Sequence, residues 1–217
     1  MGFLQCGINN GTTLMAKAFA DYTHAFITAL NSTAATDAKG QNITVDDAIA
    51  RVHDAMRKLS GTPNKVMFIG NGGSAGIAGH LAIDYAKNGG VRSVTFNDAS
   101  SLTCLGNDLG YDQVFAKQVE MQGLAGDILI AISSSGESAN ILAAAAQAKA
   151  MGCECITLSG FTPGNRLRSL GATNFYVASG VYGFVETAHQ AILHAILDTA
   201  MGWTSETASV QPRGRLQ

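Results

Sequence analysis

The stretch Ile69–Asp84, "IGNGGSAGIAGHLAID", decides how the chain is read. An apolar run leads into glycines at 70, 72 and 73, a serine follows at Ser74, and a helix-compatible segment then carries His80 and Asp84, four residues apart. Glycine lets the backbone turn sharply and leaves its N–H groups uncovered. The start of a helix carries partial positive charge and unpaired donors, so a strand, a glycine turn and a helix in succession make a ready anion site. On that helix His80 and Asp84 share one face. The stretch either packs small residues tightly or holds an anion with chemistry beside it.

Outward from this turn the pattern alternates. "KVMFIG" (65–70), "RSVTF" (92–96), "DILIAIS" (127–133), "CECITLS" (153–159) and "TNFYVAS" (173–179) are short apolar runs bounded by breakers, as buried strands are. Between them lie helical segments from about Ser74 to Lys87, two pieces around the turn "GNDLG", the Ala-rich "ANILAAAAQAKAMG", and the long closing "YGFVETAHQAILHAILDTAMGW". Strands alternating with helices predict an α/β fold: a five-stranded parallel sheet with helices on both faces. Two helices precede it, 12–31 and 44–59, the second with Thr44 placed as its cap and two aspartates in its first turn. "STAATDAKGQNI" between them reads as a loop. The expected organisation is an N-terminal helical segment (1–62) packing on the core or on a neighbouring subunit, the α/β domain (63–204) and a mobile tail (205–217).

In such sheets ligands bind at the carboxyl ends of the strands, where strand order reverses. A second loop leaves a strand end there: Ser133-Ser134-Ser135-Gly136-Glu137-Ser138, with four hydroxyls at another helix start. Neither loop has a P-loop lysine or the G-x-G-x-x-G spacing, which argues against nucleoside triphosphates and dinucleotides. Hydroxyls and backbone donors without a fixed cation suit a phosphate monoester that must be released.

Composition narrows the field. The 217 residues are 47% hydrophobic and only 14% charged, which suggests surface covered by sister subunits. Net charge is −2 and the basic residues are scattered, against nucleic acid as the main partner. No run of eighteen apolar residues predicts a membrane span. "MGFLQC" does not resemble a signal peptide, and Cys6 stands where a myristoylation motif at Gly2 wants Ser or Thr. Cys153 and Cys155 fall on one face of a strand as small core residues, and a reducing cytoplasm is the expected compartment.

"GNGGSAxxxxH" followed by "AISSSGES" resembles the sugar isomerase (SIS) domain family. "LTCLGNDLGYDQVFAKQVE" and "E-T-A-H-Q-A-I-L-H" make the chain similar to its phosphoheptose isomerase branch. The resemblance implies a flavodoxin-like SIS fold, a homotetramer with sites lined by more than one subunit, and a phosphorylated sugar as substrate. It assigns Asn71, Gly72, Gly73, Ser74, Asp98, Ser133, Ser134, Ser135, Ser138 and Glu186 to substrate binding.

Glu186 and His194 lie eight residues apart on the last helix, about 80° round its axis, and can face one cleft with His80 and Asp84. Two histidines and two carboxylates from two helices suit zinc, although a His/Asp pair at this spacing is often only a surface hydrogen bond. The resemblance implies zinc held by His80, Asp84, Glu186 and His194, with Asp84 and His194 as the acid–base pair, and leaves His189 structural. The reaction it implies is aldose–ketose isomerisation of sedoheptulose 7-phosphate to D-glycero-D-manno-heptose 7-phosphate through an enediolate. Three positions depart from the family: Asp84 replaces a glutamate, Glu186 a glutamine and Phe184 an arginine. They keep three alternatives open: an isomerase of another sugar phosphate, a non-catalytic phosphosugar-binding module, and a protein like the tetrameric SIS adaptor that binds the replication initiator DnaA. That adaptor lacks the carboxylate and second histidine that this chain keeps at Asp84 and His194.

Overall fold

Strand residues alternate between two cores. The structure, a computed structural model, describes residues 11–206, with side chains from residue 18. Most of the expected tail, and the readings of Gly2 and Cys6, lie outside the described residues.

The elements are α1 (Gly11–Asn31), β1 (Ala34–Asp37), β2 (Asn42–Ile43), α2 (Val45–Arg57), β3 (Val66–Gly70), α3 (Gly73–Lys87), β4 (Ser93–Thr95), α4 (Ala99–Leu109), a 3-10 turn (Tyr111–Gln113), α5 (Val114–Gln122), β5 (Ile128–Ser133), α6 (Ala139–Ala150), β6 (Glu154–Ser159), a second 3-10 turn (Arg166–Ser169), β7 (Thr173–Tyr176) and α7 (Tyr182–Ala200). Side chains on successive strand residues point to opposite faces. Val66, Phe68, Ile128, Ile130, Ile156 and Phe175 meet α2, α3 and α7 on one face. Met67, Ile69, Leu129, Ala131 and Cys155 meet α5 and α6 on the other. Cys153 and Cys155 both belong to that second core, and burial pushes the Cys155 thiol up to about 12.

The expected five-stranded parallel sheet is corrected to a mixed sheet of seven, in the order β2-β1-β7-β6-β5-β3-β4. β3 to β7 run parallel to one another. The addition is the hairpin β1–β2, which lies in the segment read as a loop and pairs antiparallel with β7, Ala35 opposite Phe175. Its Ser, Thr, Asp and Gly composition is turn-like, but the polar residues have defined tasks. Asp37 accepts hydrogen bonds from the backbone N–H groups of Lys39 (2.9 Å) and Gln41 (3.0 Å) and closes the turn. The hairpin covers the β7 edge, whose open backbone groups would otherwise invite pairing with other chains.

β3 has β4 on one side and β5 on the other, so the order of strands reverses between β3 and β5. The glycine turn follows β3 and the serine loop follows β5, so both reach the same end of the sheet at that reversal. The expected cap on α2 is present: the Thr44 hydroxyl accepts from the Asp47 N–H at 3.0 Å. Phe184 packs edge-on against Tyr22 (centroids 4.8 Å) and near Phe26 (6.1 Å), fastening α1 to α7.

Candidate active site

Gly72 begins α3 with φ 53° and ψ −120°, a conformation closed to residues with a side chain, and it offers no side-chain cap. Ser138 begins α6 and likewise caps nothing with its hydroxyl. Two helix starts with uncapped N–H groups therefore face the strand reversal. Between them lies a cavity of about 120 Å³ lined by Asn71, Ser74, Ile132, Ser133, Ser134, Ser135, Ser138, Tyr182 and Glu186. Among the described residues no lysine or arginine lines it. The Ser133 and Ser138 hydroxyls stand 3.2 Å apart, while the buried Ser134 hydroxyl has no partner among the described residues. A buried hydroxyl without a partner is costly unless a ligand or water satisfies it.

The two loops are tied together. Asn71 donates to the Asn140 side-chain oxygen at 2.9 Å, and Asn140 donates back to Asn71 at 2.9 Å. The Tyr111 hydroxyl adds a third bond, donating to the same Asn71 oxygen at 3.0 Å. Asn140 and Tyr111 were not singled out in the sequence. Asn140 sits at the start of an alanine-rich helix, where an amide is out of keeping with its neighbours, and that is the one signal it gave.

Further along α3, His80 Nε2 lies 3.3 Å from Asp84 Oδ2 and 3.3 Å from His194 Nε2 on α7. One donor atom from each of the three residues lies within 4.8 Å of those from the others. Ligands about 2.0–2.1 Å from a tetrahedral zinc are roughly 3.3 Å from one another, so the His80–Asp84 and His80–His194 separations match that ion. Glu186, expected as the fourth ligand, is not a member of this cluster. It lies two turns back along α7, with its carboxylate over Gly73: a Cβ built there would lie 2.5 Å from Glu186 Oε2.

The other expected residues divide clearly. Asn71, Ser74 and the four loop serines come together in the cavity. Asp98 does not line it; the carboxylate caps α4, accepting from the Ser101 N–H at 2.8 Å, and that bond holds it below the usual carboxylate range. His189 is fully buried, with Nε2 facing the Ser159 carbonyl at 3.0 Å, and burial pushes its pKa down to about 4. Tyr182, also not anticipated, completes one wall with its ring edge-on to Phe161 at 4.8 Å. A larger cleft of about 420 Å³ opens at the opposite end of the strands, lined by His53, Tyr85 and Arg92 among others. It lacks the paired loops and the His/Asp cluster.

From Ser74 to His80 the rise along α3 is roughly 9 Å, a span that a stretched seven-carbon sugar phosphate can cover. A doubly wound α/β domain thus carries a serine-lined cavity at the start of α3 and a His/Asp cluster further along the same helix. The chain belongs to the SIS domain family, whose model matches residues 32–160. It is 36% identical over 158 residues to the phosphoheptose isomerase of Pelobacter propionicus, covering 70% of this chain and 81% of that one. To the phosphoheptose isomerase of Helicobacter pylori it is 36% identical over 140 residues, covering 62% and 72%. Its structure is similar to that of the phosphoheptose isomerase from Neisseria gonorrhoeae, with a TM-score of 0.74 at 28% identity over 86% of this chain and 99% of that one.

Proposed function

We propose that the chain is a phosphoheptose isomerase, converting sedoheptulose 7-phosphate to D-glycero-D-manno-heptose 7-phosphate. The observation that carries this is that α3 and α7 serve both features: Ser74 and Glu186 line the serine cavity, and His80, Asp84 and His194 cluster further along the same two helices. Isomerisation needs a base to take a proton from the carbon beside the carbonyl, an acid to return one to its neighbour, and an anchor at the far phosphate. The hydroxyls of Ser74, Ser133, Ser134, Ser135 and Ser138 and the starts of α3 and α6 supply the anchor. Binding energy gained there orients the reacting carbons.

Asp84 and His194 are the acid–base pair in this reading. A base must approach to about 3 Å of the proton it takes, and neither group is fully buried. His80 stands within reach of both and can hand a proton between them. Zinc, when bound, would polarise the sugar oxygens; His80, Asp84 and His194 would hold it, and while they did so the Asp84 carboxylate would be a ligand and not a free base. Glu186 is the residue proposed to approach from the phosphate side.

The chain's surface supports an assembly of several copies, a homotetramer in this proposal. Phe19, Ile27, Ile83, Met121 and Leu124 are large apolar side chains left exposed. Among the described residues no helix is long and apolar enough to cross a membrane; a cytoplasmic location is proposed from the unpaired, buried Cys153 and Cys155. The carboxylate of Glu186 in the pocket favours one second reading, an isomerase acting on a different sugar phosphate.

The test is direct. Purified protein supplied with zinc is expected to interconvert sedoheptulose 7-phosphate and the heptose 7-phosphate, and Asp84→Asn or His194→Ala is expected to abolish turnover. Phosphosugar binding without turnover would replace the enzyme with a binding module. Metal analysis should find zinc that is lost in His80→Ala.

A further inference from the structure

We infer that the Glu186 carboxylate is the resident anion of the serine pocket, and that a phosphosugar must displace it to bind. The inference rests on the pocket being the phosphate subsite. Glu186 lines the same cavity as Ser74, Ser133, Ser134 and Ser138. Its carboxylate stands over the first residue of α3, in room that exists only because Gly73 has no side chain: both oxygens and the carboxyl carbon lie within 2.6 Å of where a Cβ would be.

That position has an electrostatic cause. The first turn of α3 contains no acidic residue, and Gly72 gives no side-chain cap. A carboxylate from α7 therefore supplies the negative charge that a helix start attracts. The Glu186 carboxylate has no hydrogen bond or ion pair among the described residues, so only this field and packing hold it. Among the described residues no basic side chain lines the pocket to offset the charge.

A phosphate entering the pocket seeks the same helix start and the same hydroxyls, and meets a like charge at close range. Glu186 is partly buried, and repulsion between partly buried charges is screened less than between exposed ones. Either the carboxylate swings away or the phosphate binds weakly. Glutamine at this position has the same shape without the charge, so the charge is the property under test.

Inorganic phosphate is the probe. Its affinity is measured by calorimetry on metal-depleted wild-type protein, Glu186→Gln, Glu186→Asp and Ser133→Ala, each checked for folding by circular dichroism. Glu186→Gln is expected to bind phosphate at least tenfold more tightly than wild type. Glu186→Asp, whose carboxylate withdraws from Gly73, should fall between them. Equal or weaker binding by Glu186→Gln, with Ser133→Ala still lowering affinity, overturns the resident-anion role and leaves the phosphate subsite standing. If Ser133→Ala leaves phosphate affinity unchanged in both the wild-type and the Glu186→Gln background, the phosphate subsite fails as well.

Discussion

His189 links the stability of this fold to pH. Its ring is fully buried on α7, and Nε2 lies 3.0 Å from the Ser159 carbonyl. An acceptor there fixes the proton on Nε2, leaving Nδ1 bare, buried and without a partner. A second proton would place a charge in the core, so burial holds the pKa at about 4 against an ordinary 6.5. Above pH 6.5 the ring is neutral in both folded and unfolded chains and contributes nothing to pH dependence. As pH falls from 6.5 toward 4, the unfolded chain binds a proton that the folded chain refuses, and stability drops by about 1.4 kcal/mol per unit. The accumulated loss is about 3 kcal/mol, and it levels off below the folded-state value. The assay is urea unfolding of wild type and His189→Gln across this range at one fixed protein concentration. Glutamine can still donate to Ser159 but does not titrate. Wild type should lose about 3 kcal/mol more than the variant between neutral pH and pH 4. Parallel loss in the two proteins would refute a neutral, buried His189.

Two further outcomes follow from side-chain contacts. Phe184→Ala removes the ring that meets Tyr22 and Phe26; it should cost about 2 kcal/mol and make α1 the first site of cleavage in limited proteolysis. Asn140→Ala severs the reciprocal amide pair with Asn71 and leaves the two loops free to separate. Melting should shift little, while kcat/KM for the phosphosugar falls by about tenfold or more, because poorly positioned loops lose orientation.

The central parallel strands and the two loops that line the serine cavity were legible in the sequence because each rests on local chemistry. A glycine turn, a serine loop and apolar runs announce themselves within a few residues. The β1–β2 hairpin was not legible: its strands gain stability from β7, more than a hundred residues away, and its own composition is that of a turn. Phe184 shows the same limit. Its replacement of a family arginine reads as a lost substrate contact until Tyr22 and Phe26 arrive from α1 to pack on it. Asp98 erred in the other direction, since a carboxylate at a strand end serves a ligand or the next helix equally well, and here it caps α4. Ser74 and the loop serines needed no distant partner, and the structure brings all of them together.

The three departures from the family act together on the charge of the cleft. Asp84 keeps its charge but is one methylene shorter than glutamate, and both its oxygens face its own helix: Oδ2 lies 3.3 Å from His80 Nε2, and Oδ1 accepts from Asn88 at 3.4 Å. It is thus held at the tetrahedral edge length from His80 at the expense of reach across the cleft. Glu186 adds a second negative charge where the family has a neutral amide, and Phe184 withdraws a positive one. Among the described residues, a region with Asp84 and Glu186 and no guanidinium attracts a dication more strongly, and a phosphate dianion less strongly, than the family pattern would. Occupancy of the His80–Asp84–His194 cluster by zinc would offset that charge and raise affinity at the serine pocket. By reciprocity of binding free energies, the phosphosugar would then tighten the metal by the same factor. In this chain, metal and substrate are expected to bind as a linked pair rather than as independent ligands.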